Sequence, residues 1–302
     1  MLKSVLSRYL DPEVLSHVAE RAFEPRGLVI GNLAGAHKSP MSGFAVEFAG
    51  HREYVAGDDP KHIDWRVYYT RDKYFVKQYE LETNFVGHLV LDVSASMRYG
   101  DGLEQKLMYA AQMAVTLGYS IVRQTDKVSL VTFDNRTRGI IPASNSMDQV
   151  VRMTQHLEEI EPVEKTDMAD CLTEVANRLG RREIVMIFSD FFTDLTALEP
   201  VLQRLRFAQH EVVLFQIIHH DELYFDFDGM TKFLGLEIPE EILAQPEDLR
   251  TAYLAAVNRF NDELEAMAIR NGCERVLCDT GRNMRELFID YLNRRSLLNR
   301  GR

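Results

Sequence analysis

The residues of this chain best suited to chemistry are oxygen donors: the loop Asp92-Val93-Ser94-Ala95-Ser96, then Thr166 and Asp190. Asp92 is the one acidic position in the apolar run HLVLDV at 88–93. Ser94 and Ser96 follow it at every second position, so three oxygen side chains can face one small volume. Alone, the loop reads equally as a capped turn, because Ser-rich turns after strands are common and an Asp there often caps a helix. Thr166, followed by Asp167 at the start of a helical segment, and Asp190, at the end of EIVMIFSD (183–190), can be placed on the same strand-end face. Five oxygen side chains from three loops then converge, and hard oxygen ligands suit Mg²⁺, Mn²⁺ or Ca²⁺ rather than zinc or copper. Two carboxylates with neutral hydroxyls leave such an ion electrophilic and open to a carboxylate from another protein.

A metal-bound water is also a nucleophile, but no positioned base accompanies these residues. His219 and His220 follow the fifth β-rich run and read as loop or capping histidines. The chain has no G-x-S-x-G elbow, no GxxxxGK(S/T), no H-E-x-x-H and no GxGxxG after the first strand. Asp92 is not followed by the second Asp of a DxD phosphotransfer loop. The expectation is a binding protein and not an enzyme.

The elements that must position this loop alternate. Short β-rich runs at 88–93, 127–133, 138–142, 183–190, 211–218 and 274–279 are separated by helical patterns, among them 106–122, 167–179 and 250–269. This predicts a doubly wound α/β fold with a mostly parallel sheet, in which ligands sit beyond the carboxyl ends of the strands where the winding reverses. The short interval between 127–133 and 138–142 predicts a hairpin and one antiparallel edge strand. Residues 219–248 fit no simple crossover, and LYFDFDGMTKFLGLEI within them reads as an inserted β-hairpin. A last helix over 283–298 should turn Met284, Leu287, Phe288, Tyr291 and Leu292 inward and several Arg outward.

The first part of the chain differs. Residues 2–23 have a helical apolar recurrence interrupted by Pro12, which can open a second helix. Residues 31–40 are rich in turn formers, and Phe44, Val46 and Phe48 alternate as in a strand. From His51 to Glu82 aromatic and charged residues mix around Trp65, the only tryptophan, and read as strands and tight turns.

Composition bounds the function. With 35 Lys plus Arg against 46 Asp plus Glu, the net charge of -11 works against general attraction to nucleic acid or anionic lipid. No stretch reaches the roughly 18–20 apolar residues that span a bilayer, and the first residues lack the uninterrupted apolar core of a signal peptide. A cytoplasmic protein without membrane insertion is expected. Cys171, Cys273 and Cys278 lack CxxC spacing and read as reduced thiols in a core.

The Asp-x-Ser-x-Ser, Thr, Asp pattern resembles the metal-ion-dependent adhesion site of the von Willebrand factor type A fold, over about residues 87–294. That resemblance implies that Ser94, Ser96 and Thr166 contact the ion, with Asp92 and Asp190 near it directly or through water. A second signature lies upstream. Arg52, Tyr54, Gly57, Asp58, Ile63, Asp64, Trp65 and Arg71 resemble the R-x-Y-x-x-G-D, I-D-W, A-R pattern of the bacterial domain-of-unknown-function family fifty-eight, with Lys61 where Arg is usual and Thr70 where Ala is usual. Read from the residues, this stretch is a charged, aromatic β-subdomain held by Arg to Asp pairs. The resemblance also makes Arg52, Asp58, Asp64, Trp65 and Arg71 candidates for partner binding. It implies a subdomain over 1–86 joined to a type A-like domain over 87–302. It further implies a partner, a MoxR-type AAA+ ATPase, with which the chain would act as an adaptor in assembling or activating client proteins through a metal-bridged carboxylate. The rival expectations are a metal-dependent hydrolase and a scaffold with a vestigial metal site.

Overall fold

A computed structural model of the chain describes residues 2–18, 23–26, 34–38, 47–55, 58–80, 82–160, 168–235 and 241–300. Up to residue 85 the elements are α1 (Leu2–Tyr9), α2 (Pro12–Val18), β1 (Ala34–Lys38), β2 (Glu47–Glu53), α3 (Trp65–Arg71), β3 (Phe75–Glu80) and β4 (Glu82–Thr83). Then come β5 (Val86–Asp92), α4 (Lys106–Arg123), β6 (Lys127–Phe133), β7 (Thr137–Ser144), α5 (Asp148–Glu159), α6 (Met168–Arg178) and β8 (Ile184–Ser189). The chain continues through α7 (Leu195–Phe207), β9 (Glu211–Ile218), α8 (His220–Tyr224), β10 (Thr231–Leu234), β11 (Glu241–Ala244), α9 (Pro246–Arg270), β12 (Glu274–Asp279) and α10 (Met284–Arg300). They form two compact units, residues 1–26 with 86–302, and residues 27–85.

The larger unit is a doubly wound α/β fold around a six-stranded sheet in the order β12-β9-β8-β5-β6-β7. Five strands are parallel, and β7 runs antiparallel to β6 at the edge, as the short connection between them dictates. The winding reverses between β5 and β8, which puts the switch point where Asp92 and Ser189 end their strands. Every residue of β8 is buried, as befits a central strand covered on both faces. On one side Val90, Ile187 and Leu214 of the sheet pack with Leu172 of α6, Leu202 of α7 and Leu264 of α9. Helix α4 is buried nearly all round and packs against β5 and β6.

Residues 1–26 belong to this unit and not to the segment that follows them. Helix α1 contacts α4 and α5, Tyr9 Oη donates to Glu158 at 2.8 Å, and Val14 and Phe23 are buried. The Gln124 side chain fixes both backbone groups of Phe23, at 3.0 and 2.7 Å. Pro12 does open the second helix.

Two expectations for this larger unit are corrected. The hairpin of the 219–248 region lies later than its aromatic run suggested, as β10 against β11, while residues 220–224 form α8. Helix α10 does turn Leu287, Phe288, Tyr291 and Leu292 inward, but Arg295 is also buried, stacked on Phe23 and paired with Glu211. Its place on the inward face, four residues after Tyr291, explains this: the carboxylates of Glu211 and Glu274 give that face a polar floor.

The smaller unit pairs β1 with β4 and β2 with β3, both antiparallel. Residues 44–46, where the strand was expected to begin, lie outside the described residues. Trp65–Arg71 is helical where strands and turns were expected. The aromatic and β-branched sequence WRVYYTR favours a strand by propensity, but Asp64 accepts from Arg66 N at 3.0 Å as N-cap, and a left-handed Asp72 closes the helix.

Candidate metal centre

Strand register does the first part of the construction. Leu91 of β5 lies opposite Phe188 of β8, so the next residues, Asp92 and Ser189, meet at the carboxyl edge. Ser189 Oγ donates to Asp92 Oδ2 at 2.6 Å, and Ser94 N donates to Asp92 Oδ1 at 2.9 Å, which folds the loop back over the strand end. Ser94 Oγ and Ser96 Oγ then stand 3.2 Å apart. Asp92 and Ser94 are buried and Ser96 is half-buried, so the loop opens to solvent at Ser96.

Asp190 arrives from β8 on a constrained turn. Phe191 has φ of 60°, a left-handed conformation uncommon for a bulky residue. Its amide donates to Ser189 Oγ at 3.0 Å, and the amide of Phe192 donates to Asp190 Oδ1 at 3.1 Å. Burial, and after it the charge of Asp190, push the Asp92 carboxyl up to about 7 against the bonds from Ser189 and Ser94.

The structure adds residues that the sequence did not single out. Lys106, the first residue of α4, is fully buried and donates to Asp190 Oδ2 and to Glu222 Oε1, each at 2.9 Å. Burial disfavours its ammonium, but Asp190 and Glu222 outweigh burial and raise its pKa, so the charge is held at neutral pH. Glu222 lies in α8, where its other oxygen accepts from His219 N at 3.0 Å. His219 is the N-cap of that helix, accepting from Asp221 N at Nδ1, which makes it the capping histidine that was expected. Gly100, at φ of 92°, comes so close that a Cβ there would lie 2.7 Å from the His219 ring. That approach seats Tyr99 edge-on against the same ring at 4.8 Å. A signal for Lys106 existed: it is the one charge at the start of a long apolar helix. The signal for Glu222 was its spacing of three from His219, that of a capping box.

Of the five predicted ligands, Asp92, Ser94, Ser96 and Asp190 come together at the ends of β5 and β8. Thr166, with Asp167, lies outside the described residues. Among the described residues no three His, Cys, Asp or Glu side chains form a metal-holding group. Any ion here therefore depends on the serine hydroxyls as well as the carboxylates. All the donors are hard oxygens, which fits Mg²⁺, Mn²⁺ or Ca²⁺. The charge balance also fits, since three carboxylates against one ammonium leave two negative charges when Asp92 is ionised.

The upstream candidates form their own cluster in the smaller unit. Arg52 donates to Asp58 Oδ1 at 2.8 Å, and Asp58 Oδ2 accepts from Val55 N at 2.9 Å, so the pair ties a turn to β2. Asp64 caps α3 and meets His51 Nε2 at 2.9 Å. Trp65 is 55% exposed and packs edge-on against Tyr68 and Tyr74. The side chain of Arg71 lies outside the described residues, as does Gly57. The structure thus uses Arg52, Asp58 and Asp64 within the unit and leaves Trp65 facing solvent.

Known proteins resemble this chain in sequence and in fold. An uncharacterized protein of Mycobacterium tuberculosis is 21% identical over 211 residues, covering 69% of this chain and 66% of that protein, just under two thirds of its length. A homologous protein of Mycobacterium bovis matches to the same extent. Among solved structures, an aerotolerance-related membrane protein from Bacteroides fragilis is 15% identical, with 70% of this chain and 100% of that chain covered and a TM-score of 0.47. The conserved hypothetical protein BatB from Bacteroides thetaiotaomicron is 12% identical, with 71% and 100% covered and a TM-score of 0.44. The VWA domain of SpRpn10 is 9% identical, with 69% and 95% covered and a TM-score of 0.40. No helix among the described residues is long and apolar enough to cross a membrane. A family model matches residues 50–263, from the smaller unit through most of α9, and by that match the chain belongs to the family described as protein of unknown function DUF58.

Proposed function

We propose that this chain is a non-enzymatic, cytoplasmic adaptor that binds a protein partner through a divalent ion held at Asp92, Ser94, Ser96, Thr166 and Asp190. The observation that carries the reading is the hydrogen-bonded run of Asp92, Ser94 and Ser96 joined through Ser189 to the strand end that bears Asp190, at the switch point of the sheet, where open α/β folds place their ligands. The ion supplies an electrophilic position for an outside carboxylate. The chain's own part is to hold the loop rigid: Ser189 and the Ser94 amide orient Asp92, and the Phe192 amide orients Asp190. His219 spends Nδ1 on capping α8, which supports docking over hydrolysis. Family membership supports a MoxR-type AAA+ ATPase as the partner, with assembly or activation of a client protein as the outcome.

The test is co-purification of a MoxR-type ATPase from native cells with the wild-type chain and with Asp92→Ala, with and without EDTA. The reading expects capture by the wild type alone and its loss on chelation. Equal capture in all arms contradicts it. Turnover in a screen of phosphoesters and peptides, lost on chelation and in Asp190→Ala, would replace docking with hydrolysis.

A further inference from the structure

Lys106 stands where electrostatics does not favour a lysine. It is the first residue of α4, an 18-residue helix whose N-terminus carries positive partial charge. It is also without solvent exposure, and a buried ammonium is retained only where carboxylates compensate it. Two do so, from separate elements. Asp190 closes β8 and Glu222 belongs to α8, each oxygen lies 2.9 Å from Nζ, and the Phe192 ring lies 5.6 Å away. Of these two carboxylates, Asp190 directly follows Ser189, whose hydroxyl donates to Asp92 at 2.6 Å in the strand-end cluster, whereas Glu222 is tied to the cap of α8 through His219 N.

A divalent ion at this cluster and the Lys106 ammonium are cations seeking the same carboxylate. Like charges held close in a buried site repel strongly, because little water screens them. We infer that Lys106 is the resident cation of the site, and that a divalent ion binds by taking Asp190 from Lys106, which remains on Glu222. The inference rests on the metal reading above and adds to it a competing group within the chain. Its consequence is an ion affinity set by the exchange and not by the oxygen donors alone. Ion binding is thereby tied to α8, because the Glu222 carboxylate must then carry the ammonium without Asp190. Lys106 acts here as a positioning residue, touching a ligand of the ion and not the ion.

The experiment is Mn²⁺ titration of the full chain, read by electron paramagnetic resonance, for the wild type and for Lys106→Met combined with Glu222→Gln. The double variant removes one positive and one negative charge, so the net charge of the cluster is unchanged and a gain in affinity reports lost competition for Asp190. We expect the double variant to bind at least tenfold more tightly. An ion bound by the double variant and not by the wild type also supports the lysine's role, while contradicting metal-dependent docking by the natural chain. Equal or weaker binding by the double variant overturns the inference and leaves the metal reading standing. Absence of binding in both overturns the two together. If the double variant does not fold, the wild type decides: Mg²⁺ at saturation, established by displacement of Mn²⁺, should shift the ¹⁵N resonance of the Lys106 ammonium. An unmoved resonance overturns the inference.

Discussion

The ammonium of Lys106 lies 2.9 Å from Asp190 Oδ2, with both side chains buried, so a carboxylate that the sequence marks as a metal ligand is already paired with a cation of the chain itself. Removing one partner of such a pair strands the other's charge in a poorly solvated site. Lys106→Met should therefore cost about 3–5 kcal/mol in EDTA. Saturating Mg²⁺ should return part of that loss, since an ion that binds only the folded chain stabilises it. Urea unfolding with and without Mg²⁺ measures both effects. A variant as stable as wild type in EDTA, or one insensitive to Mg²⁺, would contradict this charge balance.

Arg295 poses the same problem at the opposite end of the sheet. It pairs with Glu211, donates from Nε to Glu24 O at 2.7 Å and stacks 4.2 Å from the centre of the Phe23 ring. Arg295→Met should destabilise the α/β unit by about 3–5 kcal/mol, and adding Glu211→Gln and Glu274→Gln should recover part of the loss. Chemical denaturation of four chains, the wild type, Arg295→Met, Glu211→Gln with Glu274→Gln, and all three changes together, tests this. Additive losses would mean that the charges are independent.

Acid should withdraw one stabilising contribution from this unit as two buried histidines become protonated. Burial holds His156 below its ordinary 6.5, and burial likewise lowers His210 despite the opposing charge of Glu183. His210 Nδ1 accepts from Glu183 N at 3.2 Å, a bond available only to the neutral ring. Between the folded and unfolded pKa values the unfolded chain holds more protons, so stability is full above 6.5 and is lost as pH falls through the lowered folded values. Glu183 does not add to this window. Burial pushes its carboxyl up, but the bond and charge from His88 prevail and leave it below 4.5. Asp92, with its carboxyl raised to about 7, acts with the opposite sign in both chains, so thermal unfolding between pH 7.5 and 5.5 should show the wild type losing stability relative to His156→Gln with His210→Gln as pH falls. Parallel slopes would refute the assignment.

In the smaller unit, Asp64→Ala removes the N-cap of α3 and the partner of His51. A lost cap costs about 1 kcal/mol. Amide exchange should accelerate across residues 65–71 and across the β2–β3 pair to a smaller degree. Unchanged protection in 65–71 would show that aromatic packing by Tyr68 on Tyr74 holds the helix without the cap.

What could be read from the sequence follows from how each signal arises. The buried strands were legible because a parallel strand covered on both faces must be apolar throughout, as β8 is, and because β6 and β7 are too close in sequence for a crossover. The loop at Asp92 was legible because its oxygens are adjacent in the chain. Ser189 was not, and Lys106 and Glu222 only in part: the charge at the start of an apolar helix and the capping-box spacing mark them as notable, but their pairing exists only where three elements meet. Helix α3 hid behind residues with strand propensity, its one clue being Asp64. Arg295 was not singled out, because helical periodicity places it on the inward face of α10 without saying that two glutamates lie there.

Calorimetric titration of the chelator-treated chain with Mn²⁺ tests most directly whether Asp92, Ser94, Ser96, Thr166 and Asp190 hold a divalent ion. One ion per chain in the wild type, with none in Asp92→Ala and at least tenfold weaker binding in Ser96→Ala, is the predicted result. A wild-type chain that takes up no ion, or an Asp92→Ala chain that binds as well as wild type, would contradict it.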